Sequence, residues 1–158
     1  MPDPFLPPPG TRFPHKADRA LKFRVSGALR GRLTFEEVLD YHRPEAGSLT
    51  LFRVIGAEVV GALCLTMGET DVVIDYLTRN EASTLRGIAV GSVLVAAAEL
   101  FAESQGREVL RLEAFDEPGL IAWYRSRGFV AEGPAHDAPG FGPLVPMFKL
   151  VEPLDLDL

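Results

Sequence analysis

Short apolar runs of strand character fill the middle of the chain, and helical periodicity takes over twice in the second half. Leu49–Ile55, Glu58–Met67 and Asp71–Leu77 read as strands. They are joined by Gly56-Ala57 and Gly68-Glu69-Thr70, short glycine-bearing links suited to an antiparallel meander. Val93, Leu94, Ala97, Leu100 and Phe101 then recur at helical spacing, with Glu99 and Glu103 on the opposite side. This predicts a helix from Val93 to about Gln105, stopped by Gly106. A strand follows over Glu108–Ala114, then a helix capped by Asp116 or Glu117 that carries Pro118 in its first turn and ends before Gly128. Phe129–Gly133 and Val145–Val151 read as the last strands, with a loop rich in proline and glycine over 134–143.

The first third is less regular. Residues 1–16 are proline-rich around Phe5 and Phe13 and are expected to form an extended or disordered leader, with a single domain over 17–158. Lys22–Val25 suggests a short strand. Thr34 followed by Glu37 is a capping box, so a short helix is expected from Phe35 to about His42, ended by Pro44 and Gly47. The whole order predicts one α/β domain with a mixed sheet.

Composition narrows the function classes. The chain has 158 residues, 47% of them hydrophobic, enough for one domain with a real core. A net charge of −6 argues against nucleic acid or an anionic membrane as main partner and suits a cationic or neutral small substrate. Cys64 is the single cysteine, so no internal disulfide and no cysteine-based metal site can form; a small core residue is its natural role. No signal core and no bilayer-length apolar run is present, and a cytoplasmic protein is expected. His15, His42 and His136 are isolated and lack metal-ligand spacing, so no metal is implied. His136, in the loop before the last strand, is a minor candidate for an acceptor site.

The chemistry centres on Arg86-Gly87-Ile88-Ala89-Val90-Gly91-Ser92, a small-residue loop that leads from the third meander strand directly into a helix. Such a loop points backbone N–H groups and the positive end of the helix dipole at an anion. Alone, these glycines are compatible with ordinary punctuation. No Walker lysine follows, and the dinucleotide glycine pattern is not met.

Two motifs in this order resemble the GNAT acetyltransferase superfamily. Arg86, Ala89 and Gly91 match its Gln/Arg-x-x-Gly-x-Gly/Ala loop, and Gly91-Ser92-Val93-Leu94-Val95 continues as its G-x-x-L-L. Ile121-Ala122-Trp123-Tyr124-Arg125-Ser126-Arg127-Gly128-Phe129 follows the second half of its tyrosine helix. The likeness spans roughly residues 48 to 151. It departs at Ala89, where the family's first glycine stands, in a longer 79–85 segment, and at Asp116 or Glu117 in place of asparagine. A register placing Gly87 and Ala89 at the two small positions loses the leucine pattern.

The resemblance implies a mostly antiparallel mixed sheet, splayed at the cofactor site and flanked by helices. It implies acetyl-CoA as co-substrate, with its diphosphate on residues Arg86, Gly87, Ile88, Ala89, Val90, Gly91 and Ser92. The pantetheine arm would pair with Leu77, Thr78 and Arg79 at a strand end. It implies transfer of an acetyl group to a primary amine of a small molecule or protein by direct attack. Tyr124 would serve the departing thiolate, and Glu113 would be first candidate for the base, Asp75 the next. Alternation puts Glu113 on one face with Val109 and Arg111, so pairing with Arg111 is a competing role. The acceptor pocket is expected from 26–47 and 134–143. A non-catalytic acyl-CoA-binding or protein-interaction module on the same fold is the alternative, and a homodimer is left open.

Overall fold

The computed structural model describes residues 4–85 and 89–152. Its strands are β1 (Thr11–Arg12), β2 (Ser48–Ile55), β3 (Glu58–Met67), β4 (Asp71–Arg79), β5 (Val109–Phe115), β6 (Val130–Ala131), β7 (His136–Ala138) and β8 (Gly142–Leu150). Its α-helices are α1 (Phe35–Asp40), α2 (Val90–Ser104) and α3 (Pro118–Arg125). The strands form one sheet in the order β1-β2-β3-β4-β5-β8-β6, with β7 also paired to β8. Every pairing is antiparallel except β4 with β5.

That parallel pairing is the shorter of the two that hold β4 in the sheet. It runs from Asp71↔Val109 to Ile74↔Leu112 and stops, although β4 continues to Arg79 and β5 to Phe115. Beyond Ile74 and Leu112 the two strands diverge. Just past the last pair, β4 holds a bulge: Cys64 faces Tyr76 and Leu65 faces Ile74, so Asp75 is the extra residue. A bulge bends its strand and raises the local twist, which helps steer β4 away from β5.

Apolar layers cover both faces of the sheet. On one, Leu94, Ala98 and Phe101 of α2, together with Tyr124 of α3, pack onto Leu63, Leu65, Ile74, Leu110 and Leu112. On the other, Val38 and Leu39 of α1, with Val25, Leu29 and Leu33, cover Phe52, Ala62 and Cys64. The capping box forms as the sequence reads: the Glu37 N–H donates to Thr34 Oγ1 at 3.1 Å. Gly61 lets α2 lie close to β3, since a Cβ there would stand 2.3 Å from Val90 Cγ1.

Several elements differ from expectation. α2 begins at Val90 and takes Gly91 and Ser92 into its first turn, so these residues belong to the helix and not to a loop before it. Lys22–Val25 reduces to one bridge, Val25 with Asn80, because short 3₁₀ turns on either side carry the chain instead. The strand expected over Phe129–Gly133 pairs only at Val130 and Ala131, both exposed. The loop over 134–143 contains the three residues of β7. The leader is not free along its described length: β1 pairs with β2, the Phe5 ring meets Phe101 edge-on at 5.2 Å, and Arg12 forms two hydrogen bonds to Asp18, at 2.8 and 2.9 Å. Proline removes backbone donors, but Phe5 and Phe13 still pack against the core. Among the described residues no helix is long and apolar enough to cross a membrane.

Candidate active site

The gap between the diverging halves of β4 and β5 opens into a cleft of about 620 Å³. β4 and β5 form its walls, Ala89–Ser92 and α3 close it on one face of the sheet, and Ser26–Leu29 border it on the other. Of the residues singled out by sequence, Leu77, Thr78, Arg79, Ala89, Val90, Gly91, Ser92, Glu113 and Tyr124 all line this one cavity. Arg86, Gly87 and Ile88 lie outside the described residues.

Beyond Ile74 the β5-facing edge of β4 has no strand partner. The Asn80 N–H donates to Val60 O, so by antiparallel alternation Thr78 is turned toward β3. Leu77 and Arg79 therefore turn their backbone polar groups toward the cleft. The Arg79 N–H is already engaged, donating to Ser26 Oγ at 2.9 Å, while the Ser26 N–H donates to Thr78 Oγ1 at 2.9 Å. At the strand end Ser26 thus takes up the Arg79 N–H, while Leu77 keeps its backbone toward the cleft.

At the start of α2 the first N–H groups have no intrahelical acceptors. The N-cap, Ala89, supplies no side-chain bond, and the first turn contains no acid. Unsatisfied amides at a helix start that lines a cavity favour an anion. Gly91 has a packing reason for its small size: a Cβ there would approach Trp123 Cζ2 to 2.9 Å. Trp123 is only partly buried; it lines the cleft and carries the Arg127 guanidinium 3.7 Å above its ring centroid. Arg127 also lines the cleft and donates to Trp123 O and Ser126 Oγ, with no carboxylate partner among the described residues. Trp123 at the end of α3 with Arg127 in the turn after it was the signal that would have singled it out.

Tyr124 is 7% exposed and held by Trp123 and Phe129, each edge-on to its ring at 5.0 and 5.6 Å. Burial pushes its phenol up to about 12. Its hydroxyl makes no hydrogen bond to any described residue.

On the opposite face of the sheet, Glu113 pairs not with Arg111 but with His136, Oε1 to Nε2 at 2.5 Å. Arg111 is taken up by Asp71 and Glu132 instead. β7 brings His136 there; its pairing to β8 was not visible in so short and polar a segment. Asp75, at the bulge, also lines the cleft; the Tyr41 hydroxyl and Thr66 Oγ1 both donate to its Oδ2. Cys64 is buried, and burial pushes its thiol up to about 12.

No protein-family model and no curated protein sequence matches the chain. Solved structures do. Ard1 from Thermoplasma volcanium is 23% identical, with 90% of this chain and 97% of that one covered at a TM-score of 0.71. A nourseothricin acetyltransferase is 18% identical, covering 90% and 98% at 0.64. An aminoglycoside 6′-N-acetyltransferase solved with coenzyme A is 20% identical, covering 75% and 79% at 0.60. The fold is that of the GNAT acetyltransferases.

Proposed function

We propose that the protein is an N-acyltransferase that moves an acetyl group from acetyl-CoA to a primary amine by direct attack. The observation that carries this reading is the cleft itself. A sheet opened between β4 and β5 meets the first turn of α2 at one end and holds within it Tyr124, whose hydroxyl makes no hydrogen bond to any described residue. Structural neighbours that are acetyltransferases, one of them bound to coenzyme A, support it.

The residues fit such a co-substrate. The N–H groups of Val90, Gly91 and Ser92, with Arg127 beside them, suit a diphosphate, and residues Arg86–Ile88 would complete that loop. The backbone of Leu77 suits an amide of the pantetheine arm, and Arg79 shares the face of Leu77. The thioester then lies near the apex of the splay, between Tyr124 on one face and Glu113 on the other.

The amine nitrogen bonds to the thioester carbonyl carbon as the C–S bond breaks. Glu113, with His136 behind it, takes the proton the nitrogen loses. This matters for an alkylamine, of which only about one molecule in a thousand is neutral near pH 7.4, a deficit of about 4 kcal/mol. Tyr124 steadies the departing thiolate by donating a hydrogen bond. Giving up its proton from about 12 to a thiolate near 8.5 would be uphill by about 5 kcal/mol, so the proton stays on the phenol and solvent protonates the thiolate.

The test is release of CoA thiol from acetyl-CoA with a panel of primary amines. Cys64 is too buried to add to the signal. Thiol release that depends on both substrates is expected. Binding of acetyl-CoA without release to any amine would favour the non-catalytic alternative.

A further inference from the structure

His42, which the proposed chemistry does not use, sits where the end of α1, the outer edge of β2 and the N-terminal segment meet. Tyr41 alone separates it from α1. Next along the chain, Arg43 bridges to Ser48: the Arg43 N–H donates to Ser48 O at 2.8 Å and the Ser48 N–H to Arg43 O at 3.1 Å. β1, the strand on the same edge of β2, reaches only Phe52 and Arg53. Thr50 lies between these two pairings. Since Ser48 donates outward, alternation turns the Thr50 N–H outward as well. The His42 side chain takes it up, with the Thr50 N–H donating to Nδ1 at 3.1 Å. Phe13 lies against the imidazole, their ring centroids 5.3 Å apart.

This bond fixes a protonation state. A ring nitrogen that accepts from a backbone N–H carries no proton, so His42 is neutral with its proton on Nε2. An imidazolium would set one N–H against another and leave the amide of fully buried Thr50 unpaired. Burial pulls His42 below the ordinary histidine value, against the field of Glu45 in the following 3₁₀ turn, Pro44–Ala46. From β2 the ring meets Thr50 and from the N-terminal segment Phe13, neither of them charged. Arg12 and Asp18 of that segment are bonded to each other, and Arg43 is exposed.

Thr50 also holds α1 directly, its Oγ1 donating to Val38 O at 2.8 Å. One residue thus pins the body of α1 through its hydroxyl and the chain leaving α1 through its amide. Between those two points Tyr41 reaches the cleft, where its hydroxyl donates to Asp75.

We propose that His42 is a proton-sensitive latch: protonation of Nδ1 frees the Thr50 N–H, loosens the end of α1 and so shifts Tyr41 at the cleft wall. The latch goes beyond the acyltransferase reading and stands without it. Neutral His42 contributes its stability in full above the unfolded histidine value of about 6.5. That contribution is lost as pH falls through the lower folded value.

The experiment is an NMR titration of the full chain across mildly acidic pH, followed at the His42 ring, the Thr50 amide and the Tyr41 ring. His42 is expected to titrate below about 6.5. In the same step the Thr50 amide should lose about tenfold in exchange protection, after correction for the intrinsic pH dependence of exchange, and the Tyr41 ring signals should move. In His42→Asn the side-chain oxygen stands in for Nδ1 and cannot titrate, so urea titrations should show a flatter fall in stability between about pH 7 and 5. A His42 that titrates at the ordinary value while Thr50 stays protected overturns the latch. Tyr41 signals that stay in place while Thr50 opens overturn its reach to the cleft. A His42→Asn variant with the full acid loss assigns that loss to other groups and overturns it too. Should the variant fold poorly, the titration of the unsubstituted protein still decides.

Discussion

At Tyr124 and Glu113 the two halves of the proposed chemistry come from opposite faces of the sheet, and their environments differ accordingly. Tyr124 sits among Trp123, Phe129 and the apolar layer under α2, so its phenol stays protonated at neutral pH and serves as a fixed donor. Tyr124→Phe is expected to lower kcat about a hundredfold, the size of losing one donor aimed at developing charge, with little change in acetyl-CoA affinity. Steady-state kinetics with calorimetric binding checks both halves. In the unsubstituted protein, ionisation of Tyr124 should produce no falling alkaline limb below about pH 11, since burial raises its pKa. The tyrosine was legible from its motif. The His136 partner of Glu113 was not, because β7 is three residues long and the contact crosses from residue 136 to residue 113.

The splay belongs to the scale of elements. β4 and β5 are parallel and carry a helix between them, so α2 starts at the end where β4 leaves off, which brings its first turn to the mouth of the gap. The meander, both long helices and the capping box at Thr34 were readable from periodicity and local cap chemistry. The start of α2 was displaced by three residues, because glycine and serine read as loop residues while Trp123 packing on Gly91 and Val90 packing on Gly61 favour the helix. The bulge at Asp75 left no mark in the sequence, since a bulge is a property of the register between two strands. Gly61→Ala should test how tightly α2 is set: its Cβ would meet Val90 Cγ1 at 2.3 Å and Thr78 O at 3.0 Å. A loss of about 1–3 kcal/mol in unfolding free energy is expected, with weaker acetyl-CoA binding as the start of α2 shifts. Denaturant titration and ligand binding read the two effects, and an unchanged stability would mean that helix and strand are not in close contact.

Across the whole molecule, one sheet joins the N-terminal segment to the C-terminal strands, within a chain whose net charge is −6. The N-terminal segment closes the outer edge. Its proline content argued for a disordered leader, but pattern alone does not reveal that Phe5 reaches Phe101 or that Arg12 clamps a buried Asp18. The Arg12 hydrogen bonds hold the Asp18 carboxyl below its usual range, and Asp18 in turn raises Arg12. A lowered folded-state pKa means that the unfolded chain binds a proton first as pH falls. This contribution is therefore complete above the ordinary aspartate value near 4 and is lost as pH drops through the lower folded value. Asp18→Asn is expected to cost about 1–3 kcal/mol at pH 7 and to flatten the fall in stability below about pH 4. Urea titrations across that range check it, and a variant with the same acid profile would remove Arg12–Asp18 from the account.

The account stands or falls on whether the gap between β4 and β5 receives an acyl-CoA. Thermal unfolding with and without saturating acetyl-CoA, with free CoA alongside, measures this directly. At about 100 times its dissociation constant a ligand adds about 2.7 kcal/mol, which for a chain of this size raises the midpoint by about 5–10 °C. The account expects that rise with acetyl-CoA. No rise with either compound would contradict it and leave the cleft without the ligand its geometry suits.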